Sequence, residues 1–457
     1  MKKTISIITV FLILFSLVPA ECVEALSFEL PKSLKSNSAV LYNLDTDTVV
    51  YEKNADEQKN PVQMVQIMTA IVALKKLKME EELTVDENLF SELYNYQSKY
   101  PEDEYPYNEV NFSGIESGEI MKVESLLSAM MLESSSIAAN VLAYWAGQGS
   151  IDNFVSKMNE TAQEIGCKNT HFVNPHGLYD EDQYTTANDM LTITKYALNL
   201  PGFQKIINER EYQVITNVHT EGIKFSNSNL MMYESEDCYF KGTKGIKTGK
   251  SGQSGRCLAA KASQNGANYL VILLDSPLEM NGEEAFTHID DAKVLFTWAF
   301  ENIEDKEIVA ATQDITSLKV NFGKGKTTVN LVPKQALTCM WLKTESTANI
   351  NMEEIIPVYD TLNAPVKKDD VLAVLNVKYR GEVIGTVDLM AISDVEFSSV
   401  KYISQVFKDY WKSKQLKNAV KVWVLLTVLY LVFAIYVINK RAKKRRERRM
   451  AQARARK

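Results

Sequence analysis

The sequence predicts an α+β body, an antiparallel sheet covered by helices, followed by a small all-β domain and a C-terminal transmembrane helix. Three observations predict it. Strand-like alternation opens and closes the first part of the chain, with long stretches of 3.6-residue periodicity between. From Ile308 onward the pattern turns to short β runs punctuated by Gly and Asp. Near the C-terminus an apolar run, residues 422–438, precedes a strongly basic tail.

Taken in order, Lys2 and Lys3 ahead of the apolar residues 5–18, with small Ala20 behind them, mark a secretory signal peptide over residues 1–25. Ala20 and Ala25 are both suitable cleavage points. In "AVLYNLDTDTVVYEKNA" two alternating strands flank a turn built on Asp45, Thr46 and Asp47. "NPVQMVQIMTAIVAL", residues 60–74, reads as a helix entered through Pro61, with Met64, Ile67, Met68, Ile71 and Leu74 on one face. Helical periodicity continues through "MKVESLLSAMMLESSSIAANVLAYWA" and "DNFVSKMNETAQEIG". "TTANDMLTITKYALN" is a helix entered at Thr186, with Asp189 three residues on as an acidic capping box. Strands return in "GIKTGKSGQSGRCLAAKAS" and "NYLVILLDSP", and "EEAFTHIDDAKVLFTWAFENI" closes the domain as a helix.

The boundaries that follow are 26–305 for the first domain and 306–395 for the β-rich domain. Residues 396–418 form a juxtamembrane amphipathic helix with Val400, Ile403, Phe407, Tyr410 and Trp411 on one side. The span is 419–439. The tail, residues 440–457, carries eleven Lys or Arg and one Glu, so the net charge of −7 becomes −17 without it. Beside a span, such a tail stays in the cytoplasm, meets anionic lipid, and places the body outside the cytoplasmic membrane. A basic run can also bind nucleic acid, but its place against the span favours lipid, and no nucleic-acid partner is expected. The five cysteines show no CxxC spacing and the four histidines are scattered. Neither a metal site, a cofactor nor a disulfide framework is expected.

Three segments carry a resemblance. "NTHFVNPHGLYDEDQYTTANDM" (residues 169–190), "GIKTGKSGQSGRCLAA" and the lead-in "VVYEKNADEQKNP" resemble the serine-type D-Ala-D-Ala carboxypeptidases. These are low-molecular-mass penicillin-binding proteins that trim peptidoglycan stem peptides. The resemblance spans residues 38–303, and the β domain is similar to that family's C-terminal domain. It implies a penicillin-binding, β-lactamase-like transpeptidase fold. It also implies three motifs: Ser-x-x-Lys on a helix, where the lysine takes the serine proton; Ser-x-Asn; and Lys-Thr-Gly on an edge strand, which binds the substrate carboxylate.

The third motif is intact as Lys247, Thr248 and Gly249, the expected substrate-binding residues. In the second, Ser134 matches, Ser136 stands at the asparagine and Ile137 follows. In the first, Gln63 occupies the serine position and Gln66 the lysine position. A glutamine amide is neither an acylation nucleophile nor a base near neutral pH. The chain's one Ser-x-x-Lys, Ser398 with Lys401, lies outside any matching context.

Three functions stay open. The favoured one is a membrane-anchored carboxypeptidase-family protein of peptidoglycan metabolism that binds stem peptide or acts as a scaffold without catalysis. The others are an active carboxypeptidase using another nucleophile, with Ser134 near Lys247 the nearest choice, and a membrane interaction protein working through its basic tail. The segment 93–112 is long and aromatic, with Tyr94, Tyr96, Tyr100, Tyr105 and Tyr107 beside Glu102, Asp103 and Glu104. It reads either as a solvated loop or as a partner- or glycan-binding lip on the cleft.

Overall fold

The computed structural model of the protein describes residues 33–359 and 361–454. The signal peptide and Cys22 lie outside the described residues. The first domain is built on five antiparallel strands: β1 (Ser38–Asn43), β2 (Thr48–Lys53), β3 (Thr243–Ser251), β4 (Gly255–Gln264) and β5 (Ala267–Ser276). Their order is β2-β1-β5-β4-β3, which leaves β3 at an edge. Side chains alternate between two cores, as a pleated strand requires. Leu270, Ile272 and Leu274 face the helices that intervene between β2 and β3, while Val271 and Leu273 face the closing helix Thr287–Asn302. Both faces are therefore covered.

The buried helix Gln66–Lys76 runs through the larger core with Ile67, Met68, Ala70 and Ile71 fully enclosed. Its entry differs from the predicted one. Residues Val62–Val65 form a 3-10 turn, and Val62 takes φ +43. A β-branched residue at positive φ is a strained conformation, held by its surroundings. The periodic stretch around Ser134 is two helices, Val123–Glu133 and Ser136–Ala146. They are broken where Ser134 turns left-handed at φ 63 and Ser135 caps the second helix. The Thr186 cap is present: its hydroxyl accepts from the Asp189 amide at 3.1 Å.

The segment 93–112 is not loop throughout. Its first residues complete the helix Glu87–Gln97, capped by Asp86, with Leu89 and Leu93 one turn apart and both buried. The polar and aromatic composition hid that short apolar stripe.

The second domain is all-β. Five strands, Thr316–Lys319, Thr328–Pro333, Ile350–Pro357, Val371–Tyr379 and Glu382–Ala391, share one antiparallel sheet. Ile303–Val309 pairs separately with Leu337–Leu342, and Trp341 is buried in the common core. Cys167, Cys238 and Cys257 are free thiols. Cys339 is disulfide-bonded. Beyond the β domain, the amphipathic helix covers Ser399–Lys412, shorter than predicted, and Ser413 leaves helical geometry at ψ 144. A second helix, Lys414–Arg454, then includes both the apolar run and the basic residues. Among the described residues it is the one helix long and apolar enough to cross a membrane.

Candidate functional site

The site lies where the Val62–Val65 turn meets edge strand β3. Two glycines make that meeting possible. A Cβ on Gly249 would come within 2.7 Å of Val62 Cγ2 and 3.1 Å of Gln63 Oε1. A Cβ on Gly177, which sits at φ +81, would come within 2.5 Å of Gln63 Cα. Residue 63 is thus clamped between neighbouring backbones. Gln63 Oε1 accepts from the Lys250 backbone amide at 2.9 Å.

One helical turn further in, Gln66 is fully buried. Its Nε2 donates to the His176 carbonyl at 2.9 Å and to the Ser134 carbonyl at 3.3 Å, while its Oε1 finds no partner among the described residues. The side chain supplies donors to two carbonyls and carries no charge. Thr69, the next hydroxyl along the helix, is spent on the Pro175 carbonyl at 2.7 Å.

Ser134 is presented by the left-handed break between the two helices, and Lys247 Nζ donates to its hydroxyl. Lys247 is 1% exposed and does not line the cleft, unlike Thr248 and Gly249. Burial pushes its ammonium down to about 7. The Thr248 hydroxyl is shared with Ser228 at 2.6 Å. Ser136 accepts from the Asn111 amide at 3.3 Å, and Asn111 Nδ2 donates to the Glu133 carbonyl at 2.5 Å. An asparagine side chain therefore reaches this corner from the 93–112 segment rather than from position 136.

Gln63, Asn111, Ser134, Ser136, Thr248 and Gly249 line a cleft of about 400 Å³, with Gln66 and Lys247 buried behind it. Its other end holds Arg256, Phe286 and His288. The Arg256 guanidinium lies 4.7 Å over the Phe286 ring, donates through Nε to the Ala285 carbonyl at 3.0 Å, and pairs with Glu284. His288 is buried, which pushes its imidazole down to about 3, with Arg256 adding to the effect, so the ring is neutral. Asn111, Arg256 and His288 carried no sequence signal of their own. Only the length of the 93–112 segment pointed toward this corner.

That segment closes one side. The Pro106 carbonyl accepts from Gly252 at 2.6 Å, just past the end of β3, and Lys250 Nζ stands 4.5 Å over Tyr107. Tyr96 Oη donates to Asp180 at 2.6 Å and accepts from Asn174 at 2.8 Å. Among the described residues no group of three or more His, Cys, Asp or Glu is placed to hold a metal.

Residues 25–277 match the model of the D-alanyl-D-alanine carboxypeptidase family, Peptidase_S11. The chain belongs to that family. Residues 304–397 match the C-terminal domain of penicillin-binding protein 5. The chain is 26% identical over 427 residues to the D-alanyl-D-alanine carboxypeptidase DacF of Bacillus subtilis, covering 91% of this chain and 100% of that protein. It is 25% identical over 396 residues to DacA of Escherichia coli, covering 83% and 89%. Among solved structures, penicillin binding protein 5 from Haemophilus influenzae superposes with a TM-score of 0.59 at 23% identity, over 81% of this chain and 100% of that one. A DD-transpeptidase variant of Streptomyces K15 gives 0.51 at 24% identity, over 59% and 99%. Both structures share the fold of the carboxypeptidase-family domain described above.

Proposed function

We propose that this member of the carboxypeptidase family of peptidoglycan metabolism holds stem peptide without cleaving it, tethered to the outer face of the cytoplasmic membrane. The observation that carries the reading is Gln63. An amide stands where the resemblance calls for a nucleophile, and its carbonyl caps the Lys250 N–H. A strand-edge N–H beside the attacked carbon is the kind of donor that stabilises an oxyanion. Here the donor is engaged by the chain itself. Gln66 supports the same reading, because an uncharged amide cannot take a proton from a hydroxyl.

The deciding experiment treats the full-length protein in detergent with a fluorescent penicillin. No covalent adduct is expected by gel or by mass spectrometry, and a stoichiometric adduct at residue 63 or elsewhere would sink the reading. Non-covalent binding of a stem peptide ending in D-Ala-D-Ala should be rapidly reversible. A charge-assisted hydrogen bond contributes about 1.5–3 kcal/mol, so with strand-edge pairing the affinity falls around the millimolar range. Thr248, which lines the cleft, is the donor for the peptide carboxylate, with Lys247 buried behind it. The tether is the helix Lys414–Arg454, with its basic end on cytoplasmic anionic lipid. Protease added to spheroplasts should remove the body and spare the tail; a tail cut from outside would reverse the topology.

One contact favours a second reading. Lys247, with its ammonium pushed down to about 7, touches the Ser134 hydroxyl. Once neutral, that amine can accept the hydroxyl proton, which is the signature of an activated serine. Under this reading penicillin labels the protein, and Ser134→Ala abolishes the label.

A further inference from the structure

A second cavity, of about 320 Å³, shares no lining residue with the cleft. Its walls come from the chain just before Pro61, from the 179–184 stretch, and from the turn between β3 and β4. Two tyrosine rings line it. Tyr179 is fixed from behind by Tyr100 and Tyr105, with ring centroids 5.6 Å and 5.5 Å away, and its backbone amide donates to Asn108 at 2.7 Å. Tyr184 is fixed by backbone pairing with His171. The tyrosines of the 93–112 segment thus serve as the back support of this cavity, a role the cleft does not explain.

Four planar amides share the lining, Gln58, Asn60, Gln183 and Gln253. Asn60 is spent on the Asp180 carbonyl at 2.7 Å and the Val62 amide at 3.0 Å, and Gln253 Nε2 on the Glu104 carbonyl at 3.1 Å. Gln183 is 1% exposed. Its Oε1 accepts from the Val173 and Asn174 amides at 3.3 Å each, while its Nε2 has no partner among the described residues. That nitrogen is enclosed, so it is not a donor to a guest in the cavity.

The chemistry of the lining narrows the ligand. No aliphatic side chain faces the cavity, which disfavours an apolar guest. Lys59 is paired with Glu57 at 2.8 Å and Asp275 at 3.0 Å, and Glu181 adds a negative charge, so no free cation awaits an anion. Fixed aromatic rings with the Gln58 amide at the rim and the Gln253 Oε1 acceptor suit a neutral, polyhydroxylated ring with one apolar face. We propose that this cavity binds a glycan, taking a neutral sugar of the peptidoglycan strand against Tyr179 and Tyr184. The proposal rests on the reading that the chain holds peptidoglycan, and it places sugar and stem peptide in separate sites.

The test is saturation-transfer NMR on the full-length protein in detergent, with the peptide-free tetramer of β-1,4-linked N-acetylglucosamine as probe. Transfer to the sugar is expected at about 10 mM ligand or below. Tyr184→Ala should weaken binding about tenfold, and Gln58→Ala, at the exposed rim, by a smaller factor. A stem peptide without sugar should bind both variants as it binds the parent. Absence of transfer to the tetramer, or transfer unchanged in both variants, overturns the proposal. Sugar binding without stem-peptide binding would leave the glycan site standing and remove the stem-peptide reading. Stem-peptide binding without sugar binding would do the reverse.

Discussion

The strand wall and the helix wall of the cleft meet at Gly249, and they differ in what they keep. On the strand, Lys247, Thr248 and Gly249 stand as the family motif has them. On the helix, Gln63 and Gln66 stand where the sequence resemblance calls for a serine and a lysine. At Gly249 the missing side chain makes room for Val62 and Gln63 of the protein itself. A motif residue can therefore be required by packing whether or not any substrate arrives. Lys247 teaches the same lesson, since its Nζ is turned inward to Ser134.

The largest effect should come from restoring the helix wall. Gln63→Ser with Gln66→Lys removes the cap on the Lys250 N–H and supplies nucleophile and base, so penicillin acylation should go from none to detectable. If mass spectrometry finds no adduct in this variant, the strand wall has lost its function as well. Next comes Gly177→Ala. Its Cβ would collide with Gln63 Cα, and the position is left-handed. Overpacking and positive φ together should destabilise the fold by about 3 kcal/mol in urea unfolding. A neutral outcome would mean that residue 63 is not clamped.

Lys247 provides a pH-dependent test of the strand wall. Burial holds its ammonium at about 7 when folded, well below the ordinary lysine range. Between those two values the unfolded chain keeps a proton that the folded chain lacks. Stability should therefore rise with pH across that window, by up to about 1.4 kcal/mol per unit. Lys247→Met should flatten this slope in unfolding measured from pH 6 to about 10. Equal slopes would place the amine in contact with water. The smallest effect belongs to Gln66→Leu. Two carbonyls lose their donor while one unpartnered Oε1 disappears, so the net loss should be about 1–2 kcal/mol, measured by thermal unfolding.

Period and punctuation made the scaffold legible. The strand-like apolar run in "NYLVILLDSP" identified β5, 3.6-residue periodicity identified the helix of Gln66, and the Thr186–Asp189 pair identified a helix start. These are local properties, set by which face of each element must be buried. The motif positions Gln63, Gln66, Ser134 and Lys247 were legible through the resemblance to the carboxypeptidase family, which places its motifs there. What the tertiary structure alone decided was where their side chains turn. That Gln63 caps the Lys250 amide in the wall of the cleft depends on Gly177 and Gly249, residues more than a hundred positions away. Whether Lys247 meets a ligand or Ser134 depends on the left-handed break between two helices that periodicity had run together. The second cavity was invisible for the same reason: its tyrosines and amides come from segments that only the closed sheet brings side by side.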